Sequence, residues 1–203
     1  MVRRTTIASL AIAISSSAVV AYDACYTQAA PNLLVNPSWE DGTAGWTYIT
    51  PGGAPSITNA QYSDGEKSLL LPSSAAYSLI QQTIRNLAVG TAYDVSIDLR
   101  GVVSSSYSIT EQCTMYLYHD ALTTTNLIDY KITQFNRNLN SMWVTLGGKY
   151  TATKDNILLG FYATCTPYRT PVVFNLYVDN VIGLPQLFVP NLLLSLLLSP
   201  LPR

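Results

Sequence analysis

The 203 residues carry 11 Lys and Arg against 12 Asp and Glu, and charged groups make up only 11% of the chain, well below the roughly 25% of an average protein. No basic stripe is present, which excludes nucleic acid as an expected partner. Ser, Thr, Asn, Gln and Tyr are left to make the surface polar, a balance that suits neutral ligands such as sugars better than ionic ones.

Residues 1–21 have the form of an export signal. Arg3 and Arg4 give a positive start, the mostly apolar run TTIASLAIAISSSAVV follows, and Val19 and Ala21 are the small residues that signal peptidase requires. The run is short and serine-rich for a membrane span, so no span is expected after cleavage. The remaining chain has 9 basic and 12 acidic residues. Residues 22–31 read as an N-terminal arm. Cysteine use fits a secreted protein in an oxidising compartment. Three cysteines can form one pair, and Cys25 lies in the arm, outside the patterned region. Cys113 is therefore expected to pair with Cys165. With one histidine and no Cys-x-x-Cys spacing, zinc is not supported.

From residue 32 the pattern is one of short alternating runs broken by turn residues, which predicts an all-β sandwich or barrel in a single domain. Strands are expected at 68–72, 77–84, 91–102, 113–120, 142–152, 156–165 and 172–183. In the third, Tyr93, Val95, Ile97 and Leu99 take one face and Asp94, Ser96 and Asp98 the other. In the fourth, Cys113, Met115 and Leu117 oppose Tyr116 and Tyr118. Between 156 and 165, Ile157, Leu159, Phe161, Ala163 and Cys165 oppose Leu158, Gly160, Tyr162 and Thr164. If the cysteines bond, their faces are one inner face, and Tyr116, Tyr118 and Tyr162 point outward together.

The stretch NLLVNPSWEDGTAGW at 32–46 opens the domain. Pro37 lacks an N–H and suits an edge or bulge. Trp39 can turn inward while Glu40 and Asp41 turn outward, and Gly42 and Gly45 allow the chain to bring Trp46 back onto the core. This stretch resembles the opening of the carbohydrate-binding modules of families four, nine and twenty-two. GEKSLLLP (65–72), QQTIRNLAVGTAYDVSIDLRG (81–101), Trp143 in MWVTLGGKYTA and LYVDNVIGL (176–184) resemble later motifs of the same families, in order. The paired cysteine strands resemble those of fungal secreted members.

The resemblance implies a β-sandwich jelly roll of two antiparallel sheets over 32–184, with its first and last strands side by side. It also implies a structural Ca²⁺, held by the carboxylates of Glu40 and Asp179 and by main-chain carbonyls near Ser38 and Lys67, a hard-oxygen set. Asn180 departs from the second Asp the families often carry there. Trp39, Trp46 and Trp143 match positions that are usually core. Sugar binding is expected instead at Tyr116, Tyr118 and Tyr162, whose rings have an apolar face and a polar tip. Tyr107 adds to them, and Gln112 or Asp120 supplies hydrogen bonds. His119, near its strand end, is expected to be a satisfied polar group without a role.

No catalytic machinery is evident. Three glutamates offer no clear pair of carboxylates across a cleft, and a serine triad lacks its Gly-x-Ser-x-Gly motif. The expected function is that of a monomeric, non-catalytic module that binds poly- or oligosaccharide, of a kind usually appended to glycoside hydrolases. The alternative is a structural or adhesive scaffold domain. An open groove lined by tyrosine favours the first; a flat or covered face favours the second. A weaker third reading is hydrolysis by an unrecognised carboxylate pair. The apolar tail at 185–203 fits none of these roles. It is too short and proline-broken to span a bilayer, and is expected to be removed or to reflect a misplaced gene end.

Overall fold

The computed structural model describes residues 31–185 except 52, 73–75, 141 and 167–173. The export signal, Cys25 with nearly all of the arm, and the tail beyond Pro185 lie outside the described residues. Among the described residues there are ten strands: β1 (Thr47–Ile49), β2 (Ser56–Thr58), β3 (Ser68–Leu71), β4 (Ser78–Arg85), β5 (Ala92–Val103), β6 (Thr110–His119), β7 (Leu127–Asn136), β8 (Val144–Thr151), β9 (Asn156–Thr166) and β10 (Phe174–Pro185). They form two five-stranded antiparallel sheets, β1-β4-β9-β6-β7 and β2-β3-β10-β5-β8. The fold is the expected sandwich jelly roll. Helical structure among the described residues amounts to two 3-10 turns, Thr124–Asn126 and Arg137–Leu139.

Period-two alternation decides which side chains meet between the sheets. From one sheet come Ile80, Ile84, Met115, Leu117, Ile157, Leu159 and Phe161; from the other come Leu69, Leu71, Val95, Ile97, Leu99, Leu146 and Val178, all nearly fully buried. Cys113 and Cys165 face each other in the β6–β9 register and are bonded, with Cα atoms 4.0 Å apart. The disulfide thus ties neighbouring strands of one sheet, on its inner side.

The opening stretch closes the sandwich as its residues suggest. Leu33 N–H donates to Gly183 O and Val181 N–H to Pro37 O, so the first segment runs beside β10. Asn36, at φ 50°, holds the next turn: its side chain donates to Gly42 O and accepts from Asp41 N–H. Trp39 is fully buried, its ring 4.8 Å from that of Trp46, whose indole N–H donates to Asn36 O. Trp143 differs from expectation. It is only half-buried and lies under the Arg100 guanidinium, 5.9 Å from its ring centroid.

Three strands were not legible: β1 and β2, of three residues each, and β7. A register shift between Leu117 and Tyr118 interrupts the pairing of β7 with β6. Its exposed edge position leaves Tyr130 and Ile132 in solvent, which breaks the contrast of apolar and polar faces. At this edge the two sheets meet. Gly147 N–H donates to Asp129 Oδ2 at 3.0 Å, and a Cβ on Gly148 would lie 2.8 Å from Ile128 O. Only a bare backbone at 148 lets β7 come this close to β8.

Candidate functional site

The outer face of the β1-β4-β9-β6-β7 sheet carries a row of tyrosines. Tyr116 on β6 is opposite Tyr162 on β9 and Tyr130 on β7. All three point outward, because the cysteine-bearing positions of β6 and β9 point inward. Tyr77, just before β4, extends the row. The ring centroids are 5.5 Å apart for Tyr77 and Tyr162, 6.0 Å for Tyr162 and Tyr116, and 6.2 Å for Tyr116 and Tyr130. The first and last of these pairs are stacked with planes 20° apart. Three strands and the residue leading into β4 therefore supply one aromatic row across the sheet, held at spacings where rings attract each other by about 1 kcal/mol per pair.

A groove of about 390 Å³ opens over this row. Tyr116, Tyr162 and Thr164 form its floor, and Leu122, Thr123, Thr124 and Leu127 its wall. The wall belongs to the loop that joins β6 to β7 and to Leu127, the first residue of β7. That loop is fixed at its base by Asp120, which sits at φ 60°. Its carboxylate meets His119 Nδ1 at 3.0 Å and the Lys154 ammonium at 2.9 Å, and accepts from Leu158 N–H. Burial pushes the Asp120 carboxyl up, but the hydrogen bonds from Lys154, His119 and Leu158 outweigh it, so its pKa lies below the usual value. His119 is satisfied by Asp120 and by the Tyr150 ring, 4.8 Å away.

Among the described residues, no charged one lines the groove. Burial raises the Tyr162 phenol, and the neighbouring phenols of Tyr77 and Tyr116 raise it further. It stays neutral and keeps its O–H as donor. The described residues of the site thus offer flat apolar rings, phenolic and threonine hydroxyls, and no ionic group. Such a surface can stack against and hydrogen-bond a neutral polyhydroxyl ligand.

The structure separates the tyrosines chosen from sequence. Tyr116 and Tyr162 share the groove. Tyr118 lies on the same face but is only 2% exposed. Its ring lies flat over Gly160, where a Cβ would come within 2.3 Å of Cζ, and its hydroxyl accepts from Gln81 Nε2 at 3.0 Å. It supports the floor rather than offering a ring. Gln112 is exposed further along β6, opposite Gln134. Tyr107 is in the loop before β6 and does not line the groove. Tyr77 and Tyr130 were missed. Tyr77 was visible as the outward residue of the expected 77–84 strand, whereas Tyr130 lay in the strand that was not legible.

The proposed metal ligands converge on one loop. Glu40 Oε1 accepts the N–H groups of Glu66 and Lys67 at 2.7 and 2.8 Å, and the Lys67 ammonium donates to Glu40 O at 2.6 Å. Asp179, fully buried, accepts at Oδ2 from the N–H groups of Ser63 and Asp64 and at Oδ1 from Asn180 N–H. Burial raises its carboxyl pKa, against those hydrogen bonds. Ser38 Oγ donates to Asp64 Oδ2 at 2.6 Å. These hard oxygens have the chemistry Ca²⁺ prefers. Among the described residues, however, no three acidic, histidine or cysteine side chains are grouped to hold a metal. A shell of six to eight oxygens would have to draw on main-chain carbonyls and water.

A family model described as a carbohydrate binding domain matches residues 31–169. No curated protein matches the chain. Among solved structures, the C-terminal family 22 carbohydrate binding module of Clostridium thermocellum Xyn10B is similar at 18% identity, with a TM-score of 0.50 over 76% of this chain and 94% of that one. The CBM22-1 xylan-binding domain of Paenibacillus barcinonensis Xyn10C is similar at 19% identity, with a TM-score of 0.50 over 77% and 96%. TmCBM61, solved in complex with β-1,4-galactotriose, is similar at 12% identity, with a TM-score of 0.51 over 77% and 99%. At these identities the likeness concerns the fold.

Proposed function

Since the chain belongs to the carbohydrate binding domain family of the 4/9 type, we propose that it is a secreted, non-catalytic module that binds a neutral poly- or oligosaccharide in the groove over Tyr116 and Tyr162. The observation that carries this reading is the tyrosine row of Tyr77, Tyr162, Tyr116 and Tyr130, whose two central rings, Tyr162 and Tyr116, form the floor of an open groove with no charged residue among its described lining. Pyranose rings present apolar C–H faces that stack on such rings, while phenolic and threonine hydroxyls meet their O–H groups. Among the solved structures similar in fold are a xylan-binding domain and a module in complex with β-1,4-galactotriose, which supports glycans of this kind as the first to try. A scaffold without a ligand would have no need of an open groove over stacked, half-exposed rings.

Export rests on the 1–21 signal pattern and agrees with the Cys113–Cys165 disulfide. A structural Ca²⁺ belongs to the same reading. Glu40 and Asp179 would hold it, with carbonyls near Ser38 and Lys67. Bound there, it would supply positive charge beside the buried Asp179 carboxylate. Glu40 and Asp179 already clasp the 63–67 loop through its N–H groups, so the chain's own residues position that loop.

The test is retention of the full-length chain in native gels containing xylan, galactan or other neutral polysaccharides. Retardation that Tyr162→Ala abolishes, with the melting temperature little changed, is the expected result. No retardation by any glycan would leave the scaffold reading.

A further inference from the structure

We propose that a second part of the same face is an anionic subsite, in which Arg137 binds the carboxylate of a uronic acid carried by the glycan. This rests on the reading of the groove as a sugar site.

The observation is a second cavity of about 460 Å³ at the far end of the β6–β7 pair, lined by Ser108, Ile109, Thr110, Asn136, Arg137 and Asn138. Register ties it to the tyrosine face. Thr110 is opposite Asn136, Gln112 opposite Gln134, Thr114 opposite Ile132 and Tyr116 opposite Tyr130. These alternate positions all point outward, so the two cavities lie at opposite ends of one surface. Six residues along β6 separate Tyr116 from Thr110, about 20 Å at the rise of an antiparallel strand. A glycan with one unit on Tyr116 that runs on along β6, at right angles to the tyrosine row, needs several sugars to reach the second cavity.

The chemistry of the two ends differs. The groove is lined by rings, leucines and threonines, and the second cavity by hydroxyls, amides and one guanidinium. Among the described residues, Arg137 is the only charged one that lines either cavity. It is exposed, and among the described residues no carboxylate is paired with it. The neighbouring acid, Glu111, turns inward and is 2% exposed. Several other cations are engaged, Lys149 with Asp94, Lys154 with Asp120 and Lys67 with Glu40 O; Arg85 is exposed as well but lines neither cavity. The backbone under Arg137 is held in place. Asn136 Oδ1 accepts from Asn138 N–H, and Asn140 bonds Val103 through both N–H and carbonyl. A guanidinium on a fixed turn, with hydroxyl and amide groups around it, matches a sugar that bears a carboxylate, which Arg binds through two parallel hydrogen bonds.

The experiment measures affinity of the full chain for xylan and glucuronoxylan, and for galactan and polygalacturonate. Wild type, Arg137→Gln, Arg137→Lys and Tyr116→Ala are compared. The expected result is an acidic glycan held about tenfold more tightly than its neutral counterpart, an advantage that shrinks at high salt. Arg137→Gln removes the advantage and leaves neutral binding intact, and Arg137→Lys keeps part of it. Tyr116→Ala weakens both classes together. Equal wild-type affinity for acidic and neutral glycans, or an equal loss of both in Arg137→Gln, overturns the subsite and leaves the groove standing. Binding to none of the four overturns the sugar reading and the subsite with it.

Discussion

Gly160 makes the floor of the groove possible, and adding one methyl there tests how the face is built. A Cβ at this position would lie 2.3 Å from Tyr118 Cζ and 2.6 Å from its hydroxyl. Because Tyr118 is 2% exposed, it cannot move aside without leaving its trough and its bond to Gln81. Overpacking of this kind costs about 1–3 kcal/mol, the lost hydrogen bond adds about 1 kcal/mol, and Ala returns roughly 0.5–1 kcal/mol over Gly in a strand. Gly160→Ala should therefore cost about 2 kcal/mol, or roughly 4–8 °C in melting temperature for a domain of this size. Burial holds the Tyr118 phenol above its ordinary pKa. Spectrophotometric titration of the variant should show that late-ionising tyrosine return toward the rest. The decisive comparison is a double-mutant cycle by chemical denaturation. In a Tyr118→Ala background the clash is gone, so Gly160→Ala should cost nothing or stabilise. If it costs as much there as in wild type, the Tyr118 ring does not occupy the space over Gly160, and this account of the floor is wrong.

Removing the disulfide by Cys113→Ala with Cys165→Ala opens a loop of 52 residues, which in the chain-entropy model is worth about 4 kcal/mol. Denaturant melts should show a loss of that order, while glycan binding survives in the folded fraction because the cysteines face inward. Glu40→Ala leaves the N–H groups of Glu66 and Lys67 without their acceptor, and should cost about 1–3 kcal/mol in the same assay. If Ca²⁺ shares that position, wild type should melt higher in calcium than in EDTA and Glu40→Ala should not. The Asp120 carboxyl has a depressed pKa in the fold, so its contribution is present above the unfolded carboxylate value near 3.9 and is lost as pH falls through the folded value. A melting temperature measured from pH 6 down to 3 should therefore fall more steeply in wild type than in Asp120→Asn.

Much of the fold was readable because apolar residues alternate cleanly in the central strands. Tyr93, Val95, Ile97 and Leu99 are buried in β5 as expected, and the inward cysteine positions fix which tyrosines point out. The edges were not readable. β7 has a shifted register and solvent on more than one side, so its residues do not sort by polarity. Missing that strand meant missing Tyr130, and with it the extent of the aromatic row from the start of β4 to β7. The covering of Tyr118 was also hidden. It depends on Gly160 and Gln81, which lie on two other strands, and no spacing within 113–120 reports them. Glu40 and Asp179, expected from the sequence to share a site, each accept N–H groups of the 63–67 loop. Their use of backbone N–H groups of the 63–67 loop is a matter of tertiary geometry. Arg137 follows a strand that was not legible and drew no attention.

The central claim is that the tyrosine row holds a sugar chain, and calorimetric titration of the best-retained oligosaccharide into wild type and Tyr116→Ala/Tyr162→Ala tests it most directly. Truncating an aromatic anchor in a binding site commonly costs about 2 kcal/mol, roughly thirtyfold in Kd. The double variant should therefore lose measurable binding while keeping its cooperative unfolding. Unchanged affinity in a folded double variant would contradict the account and move the ligand, if one is bound, away from this face.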